Sequence, residues 1–149
     1  MSVEHPAPLL RSGFPPAVTM QARWNDVDIF GHLNNAVFYE LFDTTILRLL
    51  TGCGAITRDG PHAALVVESG AGFHSEVLFT DDMGVALRVA HVGRSSARYE
   101  LAVFVGDSLV SAVDGYVVHV FVDRETRRPV PIPDAARATF ERLRSPSSP

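Results

Sequence analysis

Apolar residues recur at helical spacing between Ala36 and Leu50. Val37, Leu41, Thr44 or Thr45, and Arg48 or Leu49 trace one stripe. Phe38, Phe42, Ile46, Leu47 and Leu50 add apolar surface on other sides of the same helix. A helix apolar over so much of its circumference is buried, not laid on a surface. Asn34 and Asn35 are candidate N-caps, and Gly52 and Gly54 supply the stop. The chain on both sides reads as strand. Ala17 to Trp24 forms a first strand, and Asn25 to Asn34 a polar loop broken by Gly31. Ala64 to Phe73 is a β-type run; then Val85, Leu87 and Val89 alternate with Ala86, Arg88 and Ala90. Arg98 to Val105 and Leu109 to Val122 follow, joined by Gly106-Asp107, which suits a two-residue hairpin turn with Gly first. Asp123 to Arg128 reads as another turn. Pro133-Asp134 opens a short last helix with Ala136, Phe140 and Leu143 on one face.

This order predicts an α+β domain: one long central helix wrapped by one curved antiparallel sheet, with a short C-terminal helix. No second apolar layer is evident to cover the rest of the sheet, so a second subunit is expected to complete its edges or faces. Pro6, Pro8, Pro15 and Pro16 mark residues 1–16 as an arm draped over the fold. The domain proper spans 17–143, and 144–149 reads as a flexible tail.

Composition narrows the function. The 149 residues fit one domain, and 46% hydrophobic content with 20% charge supports a sizeable core. The net charge of −4, with no basic run longer than Arg127-Arg128, argues against nucleic acid as a partner. All 13 basic residues are arginine, so Schiff-base chemistry and a P-loop lysine are excluded. Cys53 is the one cysteine, which rules out an internal disulfide and reads as structural. The six histidines show no metal-ligand spacing, so no metal is expected. No apolar run is long enough for a membrane span, and no leader pattern opens the chain. A cytoplasmic protein without a membrane partner is the expectation.

The informative stretch runs from Arg23 to Tyr39. Asp26 and Asp28 lie in a loop that feeds directly into the buried helix. A carboxylate there can approach a carbonyl while helix N-terminal N–H groups polarise its oxygen. Gly31 lets backbone or ligand come close.

The pattern Asp26-x-Asp28-x-x-Gly31-His32-x-Asn34-Asn35-x-x-Phe38-Tyr39 resembles the 4-hydroxybenzoyl-CoA thioesterase group of the hotdog superfamily. The resemblance covers roughly residues 17–143. His91-Val-Gly93-Arg94-Ser95-Ser96 resembles the group's segment near bound coenzyme A, and Val130-Pro-Ile-Pro133 its closing segment before the last helix. The resemblance implies a hotdog fold and hydrolysis of an acyl-CoA thioester. It implies Asp28 as nucleophile or general base, an oxyanion donor in the Asn35 N–H, and His32 as a third catalytic residue placing Asp28 or the leaving thiolate. Other members carry His or Tyr where Asn35 stands. Asp26 is expected to fix the loop. Gly31, Asn34, Phe38, Phe73, Gly93, Arg94, Ser95 and Ser96 are the expected substrate contacts, with Phe42 and Val66 near the acyl group. No cofactor is implied, since coenzyme A enters with the substrate. A homodimer or homotetramer is expected.

Glu40 is a reserve carboxylate on the helix, and Glu68 a weaker one. Gly93-Arg-Ser95-Ser96-Ala97 lacks the final glycine of a nucleophile elbow. Three other readings keep the fold: an acyl-carrier-protein thioesterase, which the negative charge disfavours; a hydratase using an Asp–His pair; and a non-catalytic acyl-CoA-binding protein, which has no use for a buried carboxylate. Acyl specificity is not encoded in any motif.

Overall fold

The computed structural model describes residues 4–145. Helix α1 (Asn35–Gly52) is followed by four long strands, β2 (His62–Phe73), β3 (Met83–Val92), β4 (Ser96–Val105) and β5 (Val113–Asp123), with a short β1 (Val18–Met20) before it and α2 (Asp134–Arg142) at the end. All pairings are antiparallel, and the sheet order is β1-β3-β4-β5-β2. Alternation puts Val85, Leu87 and Val89 of β3 and Tyr99, Leu101 and Val103 of β4 on one face, all buried. Helix α1 fills the concavity of that face with Phe38, Phe42, Ile46 and Leu50. This is the helix-in-sheet architecture of a single hotdog domain.

Helix and sheet come into tight contact at Gly115. A Cβ there would stand 2.3 Å from the Gly70 carbonyl oxygen and 2.7 Å from the Phe42 ring. Glycine therefore lets Phe42 sit directly on the β5 backbone. Strand bulges at Val67 and Ala90 shift the registers of β2 and β3 and add curvature around the helix. At the far end, Phe140 of α2 packs edge-on against Tyr99 at 5.5 Å and tilted against Phe121 at 6.2 Å, closing the core.

Two strands differ from the sequence expectation. The first stops at Met20, because the chain coils into a tight turn at Trp24–Asp26 where Asp26 captures the backbone and side chain of Arg23. The last begins at Val113, not Leu109. Gly106, at φ +52°, does start a turn, but β4–β5 pairing resumes only at Val103–Val113. The residues between them pair with the N-terminal arm instead: Leu10 bridges Val110, and the Ser111 N–H donates to Leu9. The arm also buries Ala86, Ala102 and Phe104 of the outer face beneath Phe14 and Ala17. Part of the cover sought from a second subunit thus comes from this chain. Strand β2 remains an open edge, with Leu65, Val66 and Val67 exposed.

His119 sits in the core at 1% exposure, edge-on to Tyr99, and its Nδ1 has no partner. Burial pulls its imidazole below the ordinary value of 6.5, with Asp43 opposing in part. The unfolded chain takes up a proton as the pH drops through that value, while the folded core resists it. Stability is therefore complete above about pH 6.5 and declines below it. Urea melts should show His119→Phe losing less stability than wild type between neutral pH and about pH 5; parallel losses would contradict this assignment. Gly115→Ala should cost about 1–3 kcal/mol in the same melts, because backbone and a buried ring must both move.

Candidate active site

The loop before α1 is built by three local constraints. Asp26, only 5% exposed, accepts the Arg23 N–H at 2.7 Å and the Arg23 guanidinium at 2.8 Å. That pairing holds its carboxyl below the usual range, chiefly through the guanidinium hydrogen bond. Val27 bridges Leu33, the Asp28 N–H donates to the His32 carbonyl at 3.0 Å, and Gly31 closes the turn at φ +87°, a backbone region that favours glycine. The Leu33 N–H then reaches Val77, and the Asn34 N–H reaches Asp26, at 2.8 Å each. The loop is thereby tied to the β2–β3 connection and to its own start.

Asn34 is the N-cap. Its side chain accepts the Ala36 N–H at 3.1 Å, leaving Asn35 as the first helical residue. The Asn35 N–H has no acceptor among the described residues. It points from the positive end of an 18-residue helix, a place suited to a developing oxyanion.

A cavity of about 260 Å³ opens at this helix end, lined by His32, Asn35, Phe38, Phe73, Glu76 and Val113 among others. Phe38 and Phe73 meet edge-on at 6.0 Å and form an apolar wall. Asp28 stands behind His32, not on the wall. Its Oδ1 accepts the Phe30 N–H at 2.8 Å, while Oδ2 lies 4.0 Å from His32 Nδ1. The other imidazole nitrogen lies 3.7 Å from Glu76. His32 is thus interposed between two carboxylates at the mouth of the cavity.

The structure puts His32, Asn35, Phe38 and Phe73 on the cavity, with Asp28 behind His32; Gly31 turns the loop and Asn34 caps the helix without lining the cavity. It does not bring Gly93, Arg94, Ser95 and Ser96 to them. That segment is the β3–β4 turn: Ser96 stands beside Val120 of β5, seven residues and roughly 23 Å along the sheet from Val113 at the cavity. Its carbonyls are engaged locally: Arg137 donates to Gly93 and Arg94, Ile132 to Arg94, and Phe121 to Ser95. Glu40 pairs with Arg23 at 3.2 Å and Glu68 accepts the Tyr116 hydroxyl at 2.8 Å, so neither reserve carboxylate faces this cavity. The sequence reading missed Glu76 and His74, which line the cavity; no motif surrounds them, and only the β2–β3 connection brings them to the helix end. No cluster of three metal-binding side chains occurs among the described residues. No helix there is long and apolar enough to cross a membrane.

Residues 22–140 match the family model described as Thioesterase-like superfamily. No curated protein sequence matches the chain. Among solved structures, a protein of Pseudomonas aeruginosa strain PAO1 is 37% identical, with a TM-score of 0.90, over 96% of this chain and 100% of that one. A thioesterase of Thermus thermophilus, crystallised with coenzyme A and zinc, is 31% identical with a TM-score of 0.71, over 88% of this chain and 95% of that one. A 1,4-dihydroxy-2-naphthoyl-CoA thioesterase of Synechocystis shares the fold at 16% identity and a TM-score of 0.76, over 87% and 98%. The match over most of the domain, with the same fold around the Asp28 loop, places this chain in the thioesterase-like superfamily of hotdog proteins.

Proposed function

We propose that this protein hydrolyses the thioester of an acyl-CoA, releasing a free acid and coenzyme A, without a resident cofactor. The observation that carries the reading is the free Asn35 N–H at the helix end, on a cavity whose other wall is His32 backed by Asp28. The thioester carbonyl oxygen accepts from Asn35 N–H, and Phe38 and Phe73 receive the acyl group. Because Oδ1 of Asp28 is held by Phe30, Oδ2 is the atom left for chemistry. Its placement behind His32 favours activation of water over direct attack. Water adds to the carbonyl carbon as its proton passes to the Asp28–His32 pair; collapse of the tetrahedral intermediate breaks the C–S bond and the proton leaves with the thiol. The coenzyme A bound to the Thermus relative supports the choice of carrier.

The open β2 edge supports a homodimer. Antiparallel pairing of two β2 strands sets opposite ends of the two sheets side by side. The second copy's Gly93–Ser96 turn then lies at the same end as Asp28, within reach of the pantetheine or nucleotide. One chain alone leaves that half of the substrate without contacts.

The Asp28–His32 pair also suits addition of water to an enoyl thioester, and one assay separates the two reactions. Thiol release is followed with acyl-CoA esters from two to sixteen carbons and with benzoyl- and phenylacetyl-CoA, and loss of enoyl absorbance with crotonyl-CoA. Thiol release from at least one ester, reduced roughly a hundredfold or more in folded Asp28→Asn, is the expected result. Enoyl consumption without thiol release would move the assignment to hydration, and acyl-CoA binding without either to a non-catalytic role. Val66→Arg, on the open edge, should yield a monomer by light scattering that has lost turnover but keeps its fold; a monomeric wild type would refute the pairing.

A further inference from the structure

The outer face of the sheet carries a second cavity, of about 480 Å³, against 260 Å³ for the one at α1. Gly115 meets Phe42 on the helix side, so Asp114 and Tyr116 point to the opposite face, together with Gly72 and Gly70 across from them on β2. Gly72 and the Tyr116 ring form the floor. The Tyr116 ring lies over Gly70, where a Cβ would be 2.7 Å from it. The roof is the N-terminal arm at Pro6 and Leu9. The Leu9 N–H pins that roof by donating to Ser111 Oγ at 2.9 Å and Asp114 Oδ2 at 3.2 Å.

The charges around this cavity are unequally committed. Glu100 pairs with Arg88 at 2.6 Å. Asp114 is held by His74 at 2.8 Å and by the Ser111 hydroxyl at 2.6 Å. Glu68 accepts the Tyr116 hydroxyl at 2.8 Å. Arg98 differs: its guanidinium carbon sits over the Tyr116 ring, 3.8 Å from the centroid, with no hydrogen bond or ion pair among the described residues. A guanidinium held over a ring in this way keeps its N–H donors available to a ligand. Apart from these groups, the exposed lining is mostly apolar.

We infer that this outer cavity binds a carboxylate with a compact apolar body, its head on the Arg98 fork and its body between the floor of Gly72 and the Tyr116 ring and the Pro6–Leu9 roof. A planar fork matches a carboxylate in two parallel hydrogen bonds. The volume suits an aliphatic or aryl acid of modest size. The site opens on the other face of the sheet, shares Phe73 and His74 with the cavity at α1, and does not depend on the hydrolytic reading.

The test is calorimetric titration of the full chain, free of thioester, with sodium octanoate and sodium benzoate. Wild type should bind at least one of them saturably. Arg98→Gln should weaken that binding roughly tenfold or more, as expected when hydrogen bonds to a charged group are lost. Gly72→Leu fills the floor without touching Arg98 and should abolish binding, so the outcome does not hang on the folding of a single variant. Asp28→Asn should bind like wild type. Absence of saturable binding to wild type at millimolar concentrations would overturn the inference. So would binding that survives both Arg98→Gln and Gly72→Leu, or binding lost in Asp28→Asn, which would put the acid at the helix end. Since no thioester is present, failure here leaves the hydrolytic reading untouched, and failure of hydrolysis leaves this one standing.

Discussion

Burial of Phe42 against the bare backbone of Gly115 is the contact on which the rest of the molecule depends. A helix apolar on most of its sides is stable in water only if a sheet curls around it. Where the Phe42 ring meets β5 there is no room for a side chain, and Gly115 supplies that gap. Once Phe42 is seated there, the start of α1 falls beside Phe73 and Val113, at the end of β2 and the beginning of β5. The position of the free helix N-terminus, and of the cavity beside it, follows from that packing.

A second constraint orients the chemistry. Asp26 is buried and commits its carboxylate to Arg23, which shapes the loop; Asp28, two residues on, keeps one oxygen uncommitted. Two aspartates of the same loop thus differ in which oxygens are engaged, because their surroundings differ. His32 joins Asp28 to the cavity and is flanked by Glu76 from another connection. The site is consequently shared between the loop before α1 and the segment after β2. The hydrogen bond from Leu33 to Val77 locks these two pieces together.

Much of this is legible in the chain alone. The apolar spacing from Ala36 to Leu50 marks the buried helix, and alternation at Val85, Leu87 and Val89 marks a strand with one buried face. The Asp28–Gly31–Asn35 spacing marks the loop and the helix end, of which Asn35 lines the cavity and Asp28 stands behind His32. The misread boundaries share a cause. Gln21 to Trp24 and Leu109 to Ser111 have strand-like composition, but in one case a side-chain clamp and in the other the N-terminal arm takes the hydrogen bonds a strand would have used. Local propensity does not register such competitors.

By itself the sequence determined the helix, the strands, the helix cap and the loop that bears Asp28, because these rest on neighbours a few residues apart. Only the tertiary structure decided that Gly93–Ser96 lies at the other end of the sheet from Asp28, since antiparallel strands reverse the chain and send each turn to one end or the other. It also decided that the arm roofs an outer cavity and leaves Arg98 uncommitted on Tyr116. Those juxtapositions join residues on different elements, as far as 105 positions apart for Leu9 and Asp114, and contact between elements is set by packing, not by pattern.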